Sequence, residues 1–129
     1  MEVYEKRITV VKHDLDELEH VNNVRYVQWI QDIAKDHWHK KVTKEMAYSY
    51  FWVVVNHFIE YKSQAVLNDQ ITIKTYVTES EGVTSTRHVE MYHADSERLI
   101  VKAKTVWCLM DSIKKRPTRI PENIKTLFD

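Results

Sequence analysis

The chain is 129 residues long, the length of one ordinary domain and too short for two. With 43% apolar and 29% charged residues it has the material for a packed core. Its 19 Lys and Arg are offset by 19 Asp and Glu, which argues against the basic surplus that nucleic-acid binders use to neutralise phosphate.

The first residues, Met1-Glu-Val-Tyr-Glu-Lys-Arg7, carry charge and no long apolar run, so they do not read as a secretory signal. Val3 to Val11 reads as a first strand. Tyr26, Val27, Ile30, Ile33, Ala34, His37 and Trp38 then recur at three- and four-residue spacing, which predicts one strong helix from about Tyr26 to Lys41. Asn22 and Asn23 suit its N-cap, because a side-chain oxygen there accepts from an unpaired helical N–H. Phe51 to Tyr61 is apolar on both faces at its start and reads as a central, buried strand.

The next stretches alternate with period two. Ile71, Ile73, Thr75 and Val77 face one way against Gln70, Thr72, Lys74 and Tyr76. Val83 to Tyr92 reads as a strand, Asp95 to Glu97 as a turn, and Val101 to Leu109 as a last strand. Arg116 to Asn123 reads as a turn, with a short helical tail after Pro121. One Gly and two Pro leave little material for tight hairpins or long irregular loops. The order strand, helix, four strands predicts an α+β layout with an antiparallel sheet packed on the helix, as a single domain over residues 1–129.

The polar cluster His13-Asp-Leu-Asp-Glu-Leu-Glu-His-Val-Asn-Asn23 lies directly before the helix. A helix N-terminus offers unpaired N–H groups and partial positive charge, which suits a developing oxyanion. A carboxylate held beside it can activate water or attack a carbonyl, so the cluster fits acyl transfer. The same residue types are also ordinary capping residues, and composition alone leaves both readings open.

Asp14-Leu-Asp-Glu-Leu-Glu-His-Val-Asn-Asn-Val-Arg-Tyr-Val-Gln-Trp29 resembles the signature of hotdog-fold acyl thioesterases. It is similar both to the 4-hydroxybenzoyl-CoA thioesterase-like group and to the plant acyl-carrier-protein thioesterases. Ile59-Glu-Tyr-Lys62, Val106-Trp107, Met110-Asp111, Arg116-Pro117 and Ile120-Pro121 extend the likeness over nearly the whole chain. The resemblance implies a long antiparallel sheet wrapped around one central helix. It also implies a homodimer or homotetramer with the acyl pocket between subunits, and hydrolysis of an acyl-CoA or acyl-ACP. It puts Asp16 on the catalytic carboxylate and His20 on a histidine of the same site. Asn22, Asn23 and Tyr26 fall where the helix starts and substrate binds. A non-catalytic hotdog protein that binds or scaffolds acyl thioesters is the alternative.

The chain departs from these relatives at three places. Glu19 stands where the bacterial proteins often have Gly, and Leu18 where the plant enzymes have Asn. Gln64 and Ala65 replace a glutamate and a cysteine, so a Cys–His mechanism has no support. Hotdog dehydratase motifs are absent.

Cys108 is the only cysteine, which leaves no intramolecular disulfide and no Cys-based zinc cage. His37 and His39, two apart on a helix, diverge and make a poor chelating pair, so no metal is expected. The absence of a phosphate-binding glycine loop removes dinucleotide and P-loop readings, and no cofactor is expected. Lys62, Arg87, Lys102 and Lys104 are candidates for CoA phosphates or for a solvated strand face. With no apolar run long enough to span a bilayer, the expectation is a cytoplasmic protein with neither membrane nor nucleic-acid partners.

Overall fold

In the computed structural model, which describes residues 1–129, a curled antiparallel sheet wraps around one long helix, as expected. The elements in chain order are β1 (Tyr4–Thr9), α1 (Asn23–Lys41), α2 (Lys44–Ser49), β2 (Tyr50–Tyr61), β3 (Gln70–Glu81), β4 (Thr84–His93), β5 (Leu99–Asp111), β6 (Arg116–Pro117) and α3 (Glu122–Lys125). The sheet runs β1-β3-β4-β5-β2, with β6 a short addition to β5. No helix is long and apolar enough to cross a membrane.

The apolar stripe of α1 meets the inward face of the sheet. Tyr26, Trp29, Ile30 and Ile33 form one core with Ile71, Ile73, Val89, Met91, Val101 and Ala103. Near the other end of the helix, Trp38 packs with Leu109, Ile120, Ile124 and Phe128 in a second cluster. The single glycine sits in the β3–β4 hairpin at φ 63°, with nothing within 4 Å of a Cβ built there. Its role is therefore conformational, supplying the positive φ that a two-residue hairpin needs at its first position.

Two sequence expectations change. The strand β2 is not central: it is an edge of the sheet, and Val53, Val55 and Phe58 are exposed. A bulge between Val54 and Asn56 spares one residue, so Val54 and His57 lie opposite Trp107 and Thr105 while Val55 turns out. Its apolar character on both sides is that of a strand with one unpaired margin. The helix α2 was not foreseen. It is a single capped turn in which Thr43 accepts from the Met46 N–H, and none of its residues is buried.

A polar chain links the two clusters. Arg87 cannot accept a hydrogen bond, so its Nη1 donates to His37 Nδ1 at 2.9 Å. The other imidazole nitrogen then carries the proton that meets Glu2 Oε1 at 2.7 Å. Lys41 donates to the second Glu2 oxygen, and the His37 ring packs between Tyr4 and Phe128. Burial holds the His37 pKa below its usual value, while the His37 and Lys41 donors hold the Glu2 carboxyl low.

Both shifts are downward, so both groups contribute stability that is present at neutral pH and lost on acidification. The unfolded chain takes up protons first, from about pH 6.5 at histidine and about pH 4.5 at glutamate. The urea midpoint is therefore expected to fall between about pH 7.5 and 5.5, and His37→Gln to flatten that fall. An equal fall in the variant would assign it to other groups.

Candidate active site

The loop between β1 and α1 is tied down from its start. Asp14, 3% exposed, accepts the Val11 N–H on Oδ2 and the Arg25 Nε–H on Oδ1, each at 2.9 Å. Its backbone oxygen accepts the Asn22 N–H, so one residue fastens both ends of the loop to the helix. Leu15 bridges to Val21, which closes the loop around Asp16.

Asp16 is half-buried. Its Oδ1 accepts the backbone N–H groups of Leu18 (2.9 Å) and His20 (3.1 Å), and its own N–H donates to the His20 carbonyl at 2.7 Å. Its Oδ2 takes no protein donor. The carboxylate is thus held by one oxygen and free at the other, a sound arrangement for a base or nucleophile. His20 contributes its backbone to this bond; its half-buried side chain makes no hydrogen bond with Asp16.

Glu19 adopts φ 64°, the left-handed region that favours glycine, and this accounts for the glycine that relatives carry there. A side chain in that region costs about 1 kcal/mol or more. Glu19→Gly is expected to raise stability by roughly 0.5–1 kcal/mol, read as a thermal midpoint higher by a few degrees. A lower midpoint would show that the glutamate side chain holds the loop.

At the helix start Asn22 Oδ1 accepts the Val24 N–H at 3.0 Å, the capping role left open by the sequence. The Asn22 carbonyl accepts from the Arg25 N–H, and the Asn23 N–H has no partner within the chain. That free donor, at the positive end of a 19-residue helix, suits a carbonyl oxygen acquiring charge. Tyr26 lies in the core, 3% exposed, with its hydroxyl accepting from the Ala65 N–H at 3.2 Å. Ala65 in turn accepts the Val21 N–H, and Val66 pairs with His20, so Tyr26 supports the loop from below. The structure thus gathers Asp16, His20, Asn22 and Asn23 in one segment and sets Tyr26 beneath it. None of the three principal cavities of a single chain is lined by any of the five.

Of the basic candidates, Lys62, Lys102 and Lys104 are exposed, but Arg87 is not on a solvated face. It is 6% exposed and points to the inner side of the sheet. The alternation Ser85, Arg87, Val89, Met91, all buried, was the signal for it. Burial pushes its pKa down to about 10, and no carboxylate contacts it. Cys108 is buried in β5, away from the loop.

Comparison with known proteins gives the family and the fold. The profile of the thioesterase-like superfamily matches residues 10–128. The long-chain acyl-CoA thioesterase FadM of Escherichia coli K12 is 32% identical over 78 residues. That match covers 59% of this chain and 59% of FadM, less than two thirds of the relative's length.

Two solved structures share the fold. The probable thioesterase YbaW from Escherichia coli superposes with a TM-score of 0.87 at 21% identity, over 97% of this chain and 98% of its own. A 1,4-dihydroxy-2-naphthoyl-CoA thioesterase from Synechocystis superposes at 0.84 with 14% identity, over 98% of this chain and 95% of its own. The chain belongs to the thioesterase-like superfamily and has the hotdog fold, a curled antiparallel sheet around a central helix.

Proposed function

We propose that residues 1–129 act as one domain that hydrolyses an acyl thioester, acyl-CoA before acyl-ACP, to a free acid and a thiol. The observation that carries this reading is the Asp16 carboxylate, anchored through one oxygen and free at the other, on the loop that leads to the unpaired Asn23 N–H. Superfamily membership and the likeness to FadM, a long-chain acyl-CoA thioesterase, support it.

Asp16 draws a proton from water as the oxygen attacks the carbonyl carbon, or attacks that carbon itself. The Asn23 N–H and the helix end hold the oxyanion, Asn22 keeps that end open, and His20 orients the substrate over Tyr26. In the first case the C–S bond then breaks and the thiolate takes up the proton. In the second the C–S bond breaks to leave a mixed anhydride on Asp16, and water hydrolyses it to the free acid, regenerates the carboxylate and supplies the thiolate's proton.

Since none of the three principal cavities of one chain is lined by Asp16, we infer that the acyl pocket is completed by a second copy. The exposed apolar margin of β2 is the surface for it. If two β2 strands pair antiparallel, the Tyr50 end of one lies beside the Tyr61 end of the other. Light scattering is then expected to give at least twice the 15.5 kDa of the chain, and a monomer at assay concentration would remove this part. A single buried cysteine fits a cytoplasmic location.

The hydrolase reading is tested by following thiol release from short, long and aryl acyl-CoAs and an acyl-ACP. Catalytic turnover supports it. A non-catalytic binder would saturate without releasing thiol.

A further inference from the structure

Roughly 16 Å along α1 from its start, the helix and sheet enclose a second chemical environment that the Asp16 loop does not use. A cavity of about 250 Å³ opens there, walled by Trp38, Trp52, Trp107 and Phe128, with Ser85 and Arg87 from β4 at its base. Its lining includes no aspartate or glutamate.

Arg87 spends both Nη1 hydrogens inside the protein, on His37 Nδ1 and on Thr75 Oγ1 at 3.0 Å, and lies 4.9 Å from the centre of the Phe128 ring. Its Nε–H and Nη2–H donors have no protein acceptor, and they form the side of the guanidinium that takes a carboxylate with two parallel bonds. Glu2, bonded to His37, also receives Lys41, so it leaves Arg87 without an adjacent anion. The Trp107 Nε1–H, in the same wall, is fully buried with no acceptor either. Ser85 is already paired with Ser80. Buried donors without acceptors are uncommon and call for an occupant, and a buried cation calls for an anion.

We propose that this cavity binds the carboxylate of an apolar organic acid. Arg87 takes both carboxylate oxygens, Trp107 donates to one of them, and the aromatic walls hold the hydrocarbon body. At about 30 Å³ per heavy atom, a water's share of liquid volume, the space holds about eight of them, most of an acid of medium length. The carboxylate has two possible sources: a free acid, or the far end of a dicarboxylic acyl group joined to its thiol carrier at the other end. Only the second source rests on the hydrolase reading.

Tryptophan fluorescence and calorimetry of the full chain with octanoate and octan-1-ol test the site directly. Octanoate is expected to bind about tenfold or more tightly than the alcohol, the scale of a charge-assisted hydrogen-bonded pair. Arg87→Gln should abolish that preference. Trp107→Phe, which keeps an aromatic wall but exchanges the indole for a smaller ring without the N–H, should weaken octanoate several-fold more than it weakens octanol, so the test survives a poorly folding Arg87 variant.

Equal binding of acid and alcohol, or binding of neither, overturns the proposal. Thiol release from suberoyl-CoA and octanoyl-CoA then assigns the source. A KM lower for suberoyl-CoA places the carboxylate at the end of the substrate, and equal KM values with octanoate still bound assign the site to free acids. If no thioester is hydrolysed while octanoate still binds, the hydrolase reading fails and the acid site stands.

Discussion

Asp16→Asn is expected to lower kcat by about 10² or more without disturbing the fold. The variant separates charge from architecture. Oδ1 of aspartate accepts the Leu18 and His20 N–H groups, and the amide oxygen of asparagine can accept both in the same way. The free side changes character, because an NH₂ group replaces an oxygen and can neither take a proton from water nor attack a carbonyl. Thiol release alongside a thermal melt measures both halves. A kcat unchanged in a variant that melts like the parent would assign the chemistry to another group.

Asp14→Ala is expected to cost about 3 kcal/mol, read in urea unfolding, and to lower the thermal midpoint by roughly 10 °C. The cost comes from what is left behind. The Val11 N–H loses its acceptor, and Arg25 loses a charged partner at a carboxylate that is almost wholly out of solvent. Arg25→Gln is expected to cost less, because the Arg25 side chain is 31% exposed and water can replace part of what it supplies. A loss under about 1 kcal/mol for Asp14→Ala would show that the loop is held by its backbone bridges alone.

Much of this architecture is legible from residue spacing. The stripe Tyr26, Ile30, Ile33, His37 marks α1 because one face of it is buried along its whole length. The alternation in β3, β4 and the first half of β5 is equally plain, since one side of each strand meets the helix. The strand β2 misleads because apolar residues on both faces suit a central strand as well as an edge strand that another surface covers, and sequence does not separate them. The helix α2 is too short to carry a stripe, with only Met46 packed against the second core cluster and no residue fully buried.

In the site, Asp16 and His20 are marked by the family likeness and not by spacing. Unpaired N–H groups are expected at the helix start, and the structure narrows the free donor to Asn23. Arg87 reads as a CoA-phosphate candidate or part of a solvated strand face because a charge in a strand suggests solvent first, although its parity with Val89 and Met91 already puts it inside. Glu19 shows the reverse: the departure from glycine was visible, and its meaning came only with the left-handed backbone.

The unpaired margin of β2 also links folding to the amount of protein present. β2 is a twelve-residue edge strand whose outer amides and carbonyls are open to a neighbour. If the neighbour is an identical chain, mass action governs: dilution moves the population toward the lone chain, and heat resistance and specific activity decline together. In that case concentration would itself be a physical variable of the protein.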